Sequence, residues 1–114
     1  MIHKISIVIP VFRGQESLIR LVSEINVLTK IQKTTLGYDY KVNELILVHD
    51  CGPDDSYKTI IELEQTYLYI RPIWLSRNFG QHAATLAGMA SATGDWVLTI
   101  DEDGQHNPEE VSKL

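Results

Sequence analysis

The sequence predicts an α/β fold with a mostly parallel sheet and flanking helices. Two observations carry that expectation. Short apolar runs rich in β-branched residues alternate with segments of helical period, in the order strand, helix, strand, helix, strand, helix, strand. Polar and charged clusters also follow each apolar run, and open α/β sheets bind ligands beyond the carboxyl ends of their strands.

Lys4 to Phe12 (KISIVIPVF) is nearly continuous in apolar character, as a strand buried on both faces should be. From Ser17 the period changes, and Leu18, Leu21, Val22, Ile25 and Leu28 fall on one face of a helix. Thr34 to Asn43 reads as a polar connection. Glu44 to Val48 is a second buried strand, closed by a dense group of turn formers, His-Asp-Cys-Gly-Pro-Asp-Asp. Asp54 or Asp55 can cap a second helix bearing Tyr57, Ile60, Ile61 and Tyr67. Ile70 to Leu75 contains Pro72 and reads as a third strand towards an edge. Gly80 to Ala92 is a third helix, and its Ala83, Ala84, Ala87, Gly88 and Ala90 let it lie close against the sheet. Trp96 to Ile100 is a fourth buried strand. Asn107-Pro108-Glu109-Glu110 then starts a last helix, with a capping Asn, Pro at the first position and acids near the positive end of the dipole. That helix has barely begun at Leu114, which predicts a domain continuing beyond this sequence.

The 114 residues allow one small domain or part of a larger one, and 44% apolar with 22% charged residues is a globular composition. Ten Lys and Arg against fifteen Asp and Glu give a net charge of −5, so the basic footprint of nucleic-acid binding is missing. The single Cys51 excludes an intrachain disulfide and a cysteine-built zinc site. The longest apolar stretch, Ile5 to Phe12, is far short of the roughly 20 residues that span a bilayer, and no small-residue cleavage site follows it. The expected compartment is the cytosol.

The strand ends carry Pro10-Val11-Phe12-Arg13-Gly14, then His49 to Asp54, then Ser76 to Gly80, then Asp101 to His106. No G-x-G-x-x-G and no G-x-x-x-x-G-K-[ST] occurs, which argues against dinucleotide dehydrogenases and P-loop NTPases. A bound nucleotide would need its phosphates neutralised by other means. If the strand stays extended past Ile100, Asp101 and Asp103 share a face and Glu102 points away. Two carboxylates and the Gln105 carbonyl then form a partial shell of hard oxygens suited to Mg²⁺ or Mn²⁺; a plain acidic turn is the alternative. His106 is a hydrogen-bonding partner before it is a ligand. Asp50 can accept from a base N–H or ribose hydroxyl, or make an Asx turn with Gly52-Pro53. Arg77 can meet a diphosphate or form a surface ion pair. Cys51 reads as a packing residue, and His82 as structural or solvent-facing.

Taken together, SIVIPVF, LILVHDCGPDDS, LSRNFGQHAATLAGMASATGDW and LTIDEDGQHNPEE resemble the N-terminal half of a family-2 glycosyltransferase with the GT-A fold. The third segment resembles the branch that transfers a sugar from a nucleotide-sugar to polyprenyl or dolichyl phosphate. The resemblance covers nearly the whole chain and implies a Rossmann-like, nucleotide-binding half-domain over residues 1–114. It implies that Pro10, Val11 and Phe12 line the nucleotide pocket, that Asp50 contacts the base, and that Arg77 lies beside the diphosphate. It further implies that Asp101 meets the ribose or the metal, with Glu102 also on the substrate side. Asp103 would be the principal Mg²⁺ or Mn²⁺ ligand, with Gln105 near the metal, and Asp101 and Asp103 the catalytic pair. The implied reaction is metal-dependent and inverting, with a UDP- or GDP-sugar as donor and no nucleic-acid partner. The chain departs from the usual pattern at His49, Gly52 and Gly104, and Gly104 predicts a more flexible loop. Because the family's acceptor residues lie in its second half, this chain alone is expected to be inactive. It is also expected to self-associate where that half would pack, and the full-length protein to work at the cytoplasmic face of a membrane. The competing readings are a sugar-phosphate nucleotidyltransferase, which lacks its Gly-rich basic loop here, and a non-catalytic nucleotide-binding module.

Overall fold

The computed structural model describes residues 1–102. Five strands and three α-helices follow in order: β1 (Ile2–Val11), α1 (Leu18–Asn26), β2 (Gln32–Lys33), β3 (Asp39–His49), α2 (Ser56–Thr66), β4 (Ile70–Trp74), α3 (Gln81–Ser91) and β5 (Trp96–Thr99). The helix expected from Asn107 lies outside the described residues.

β1 is paired in parallel with β3 on one side and β5 on the other, and β3 is paired in parallel with β4. Counting the four parallel strands in chain order, the sheet runs 3-2-1-4, the order of a doubly wound nucleotide-binding sheet. The order reverses between β1 and β5, so a crevice opens beyond their carboxyl ends. Among the described residues β4 pairs only with β3, in keeping with the edge position expected from Pro72.

Both faces are covered along β1 and the second half of β3, which is why those strands lack a polar side; β5, expected to be buried, is instead largely exposed from Trp96 to Thr99. Ile5, Ile7, Ile9 and Val11 of β1 pack with Leu18, Leu21, Val22 and Ile25 of α1 and with Ile60 and Leu63 of α2. Val8, Ile46 and Val48 face α3. There Ala84 and Gly88 are buried, and a Cβ on Gly88 would lie 2.3 Å from Val8 Cγ1. The small residues do bring α3 against the strands, although Ala83 and Ala90 are exposed. On α2 the inward face is Thr59, Ile60 and Leu63, while Tyr57 and Ile61 point outward. Asp55 holds the N-cap position without a side-chain cap; Asp54 accepts from Ser56 N (3.0 Å) and Gln15 N (3.2 Å) instead.

The connection expected over Thr34 to Asn43 is partly sheet. β2 pairs antiparallel with the start of β3, and β3 begins at Asp39. The pairing with β1 slips from Ile5↔Val42 to Ser6↔Glu44, leaving Asn43 as the extra residue of a bulge. The bulge reverses the alternation. Tyr40 and Val42 face α1 together with Leu45 and Leu47, and Glu44 is turned toward α3.

Glu44 is buried there in a closed network. Its carboxylate accepts from Ser6 Oγ (2.6 Å), Thr93 N (2.7 Å), Thr93 Oγ1 (3.1 Å) and Arg71 Nη1. Burial alone would raise the Glu44 pKa, but the bonds from Ser6, Thr93 and Arg71 outweigh it and hold the group at about 2.

Candidate functional site

A cavity of about 600 Å³ lies beyond the carboxyl ends of the parallel strands. The β1 end contributes Pro10, Val11, Phe12 and Arg13; the β3 end contributes Asp50; the β4–α3 turn contributes Asn78, Gly80 and Gln81; the β5 end contributes Asp101 and Glu102. Four separate chain segments meet there, at the place that sheet topology assigns to a ligand.

Asp50 continues β3 by one residue and is 3% exposed. Its N–H donates to Val11 O (2.8 Å), tying it to the end of β1. The carboxylate accepts from Phe79 N (2.9 Å) and Gly80 N (3.1 Å), so it holds the entry to α3 rather than an Asx turn. Gly80, at φ 93°, supplies the backbone turn by which the chain passes from those two amides into α3. Beyond Asp50 the chain turns sharply, with Cys51 at φ 54°. Gly52 then passes so close to β1 that a Cβ on it would sit 1.6 Å from Phe12 O. A glycine is required where those two loops touch.

The residue before Asp50, His49, is 8% exposed and packs on Trp74 (ring centroids 5.4 Å) and Tyr57 (6.4 Å). Burial lowers its pKa, opposed by the charges of Asp54 and Asp50.

Asp101 and Glu102 are half-buried after β5. Asp101 Oδ1 accepts from Gln81 Nε2 at 3.1 Å. Glu102 does not continue the strand's alternation. Its carboxylate accepts from Phe12 N (2.6 Å) and Arg13 N (2.8 Å), and its own carbonyl accepts from Ser17 Oγ (2.5 Å). Asp103 and Gln105, the other expected metal ligands, lie outside the described residues, as does His106.

Pro10, Val11, Phe12, Asp50, Asp101 and Glu102 line the one cavity, while Arg77 does not. Its guanidinium lies 4.8 Å from the Phe79 ring centroid at the surface. Among the described residues, the cation lining the cavity is Arg13, stacked 5.3 Å from the Phe12 ring. Arg13, Asn78 and Gln81 are lining residues that motif reasoning passed over. Their position, just past β1 for Arg13 and at the entry to α3 for Asn78 and Gln81, was the available signal.

Chemically, the walls present carboxylates, side-chain amides, backbone and one guanidinium, beside the rings and stems of Pro10, Val11 and Phe12. Among the described residues no three acidic, His or Cys side chains gather as a metal cluster. Among the described residues, the side chains lining the cavity that could ligate an ion do so through carboxylate or amide oxygens, donors of the type that suits Mg²⁺ or Mn²⁺. Asp101 offers one carboxylate of that type. Among the described residues no helix is long and apolar enough to cross a membrane.

Residues 6–114 match the family model for Glycosyl transferase family 2. The chain is 40% identical, over 99% of its length, to the undecaprenyl-phosphate 4-deoxy-4-formamido-L-arabinose transferase of Enterobacter sp. (strain 638), and spans 33% of that relative. Among solved structures, it resembles the mannosyltransferase PcManGT from Pyrobaculum calidifontis in complex with GDP-Man and Mn²⁺. The TM-score is 0.72 at 14% identity, over 90% of this chain and 28% of that one. It also resembles S. aureus TarS in complex with UDP-GlcNAc, with a TM-score of 0.67 at 23% identity, over 88% of this chain and 26% of that one. These two likenesses establish the fold.

Proposed function

This chain belongs to glycosyl transferase family 2, and from that premise we propose that it is the donor-binding part of a metal-dependent, inverting sugar transferase. The donor is a UDP- or GDP-sugar and the acceptor a polyprenyl phosphate. The observation that carries the reading is the convergence of Asp50, Arg13, Gln81, Asp101 and Glu102 on one cavity at the sheet's carboxyl edge. Relatives with this fold bind UDP-GlcNAc or GDP-Man with Mn²⁺, and the 40% identical relative is named for a polyprenyl-phosphate reaction.

In this reading Asp50 accepts a hydrogen bond from a base N–H or a ribose hydroxyl. Its carboxylate offers about four lone-pair directions, and Phe79 and Gly80 use two. Arg13 stands at the cavity wall as a partner for the diphosphate, and Arg77 waits outside it. Asp101, with Asp103 and Gln105, would hold Mg²⁺ or Mn²⁺, which when bound supplies positive charge to the departing nucleoside diphosphate. Gln81 fixes the Asp101 carboxylate through its Oδ1. A phosphate acceptor is already ionised at neutral pH, so its oxygen can displace the diphosphate at the anomeric carbon, with inversion, without a strong base.

Calorimetric titration of the chain with UDP and GDP, in Mn²⁺ and in EDTA, tests the proposal. Mn²⁺ should strengthen binding of one nucleotide, and Asp101→Asn or Asp103→Asn should remove that gain. Equal affinity in Mn²⁺ and in EDTA would remove the metal from the account.

A further inference from the structure

Among the described residues, the middle residue of Asp101-Glu102-Asp103 is bonded to a single segment, the loop that leads from β1 into α1. Its Oε2 accepts from Phe12 N at 2.6 Å and from Arg13 N at 3.0 Å, and its Oε1 accepts from Arg13 N at 2.8 Å. Its carbonyl receives Ser17 Oγ. Ser17 occupies the N-cap position of α1 yet makes no side-chain cap to its own helix. A serine there ordinarily accepts from the first turn; here its hydroxyl reaches across to Glu102. Both ends of the loop from β1 to α1 are therefore fastened to one residue, 85 to 90 positions away in sequence.

Phe12 and Arg13 form one wall of the cavity, and Asp101 belongs to the facing strand end. Backbone N–H groups bonded to a carboxylate make short, charge-assisted bonds, and two successive amides on one carboxylate fix the direction of the peptide between them. We propose that Glu102 is a positioning residue. It clamps the loop after β1 to the loop after β5, setting the gap in which the nucleotide and its metal are held, and does so from the wall, without ligating the metal. This rests on the nucleotide-binding reading above and adds to it a residue whose work is geometric.

The test is amide hydrogen exchange and UDP or GDP titration, in Mn²⁺ and in EDTA, on the chain and on Glu102→Ala and Glu102→Gln. Glu102→Ala should speed exchange at Phe12 and Arg13 by about tenfold or more. It should also weaken the Mn²⁺-supported affinity by about tenfold. Glutamine keeps one acceptor oxygen, so Glu102→Gln should retain most of the protection and most of the Mn²⁺ gain. Unchanged exchange in Glu102→Ala overturns the clamp. Loss of the Mn²⁺ gain in Glu102→Gln as complete as in Glu102→Ala overturns it too, since a charge at the metal would then be what matters. Should Glu102→Ala not fold, Ser17→Ala carries the same two readouts. If the parent chain binds neither nucleotide, the functional reading falls, and the exchange arm alone decides whether the clamp exists.

Discussion

Glu44 and Asp50 make a controlled comparison, because one strand presents both carboxylates to one helix. They lie on the α3 side of β3, where six residues of strand span ~20 Å, and the 11-residue α3 beside them is ~16 Å long. Each pins one end of that helix through backbone N–H groups: Glu44 holds Thr93 after its last turn, and Asp50 holds Phe79 and Gly80 before its first. They are equally buried, at 4% and 3% exposure. They differ in what else surrounds the charge. Glu44 is answered by Arg71, Ser6 and the Thr93 hydroxyl, which fill its remaining acceptor directions. Asp50 has no ion-pair partner among the described residues, and its carboxylate borders the cavity. A sealed carboxylate stabilises a fold; the same group at an open edge retains capacity to accept a bond from a ligand.

That contrast can be broken most sharply at Glu44. Glu44→Ala strands Ser6 and the Thr93 amide in the interior and should cost about 2 to 3 kcal/mol of stability, measured by urea denaturation, with nucleotide affinity of the folded protein unchanged. The same group predicts a pH dependence. Its folded pKa of about 2 lies below its ordinary 4.5, so the stability it contributes is complete above about pH 4.5 and is lost as pH falls toward 2. Thermal melts between pH 6 and pH 2 should show that decline, and Glu44→Gln should flatten it.

Asp50 should show the reverse pattern with a smaller effect. Asp50→Asn keeps one acceptor oxygen for Phe79 or Gly80 and removes the charge. Binding of the nucleoside diphosphate should weaken by about 1 to 2 kcal/mol, with a smaller change in the denaturation midpoint. A stability loss with binding intact would place Asp50 in the same class as Glu44.

Much of this architecture was legible in the residues. The alternation of Ile5, Ile7 and Ile9 with Val8, the period of Leu18, Leu21, Val22 and Ile25, and the small residues of α3 encode local geometry that packing preserves. What escaped depends on contacts distant in sequence. The bulge at Asn43 is a matter of register with β1, so the start of β3 at Asp39 and the inward turn of Glu44 had no local signal. Glu102 was expected to point away because strand alternation was carried past the strand's end. β5 stops at Thr99, and the side chain turns instead to the amides of Phe12 and Arg13. Asp50 was read as a local turn former or a ligand contact; in place of the local turn, its carboxylate accepts from Phe79 and Gly80, some thirty residues on. Arg77, put beside the diphosphate by the resemblance, stacks at the surface on Phe79, two residues on in the same turn.

A second cavity of about 610 Å³ at the opposite end of the sheet, lined by His3, Ile5, Thr34, Leu36, Tyr38, Tyr40 and Trp96, provides the internal control for the whole account. It matches the first in size but is mainly apolar, and none of the described residues lining it is a carboxylate. The decisive measurement is therefore the location of the bound nucleotide, by NMR shift mapping of the isotopically labelled chain with UDP or GDP and Mg²⁺. The account predicts shifts at Val11, Phe12, Arg13, Asp50, Gly80, Gln81 and Asp101, with His3, Tyr38 and the Trp96 indole unmoved. Shifts confined to His3, Tyr38 and Trp96, with the carboxyl edge unmoved, would contradict it.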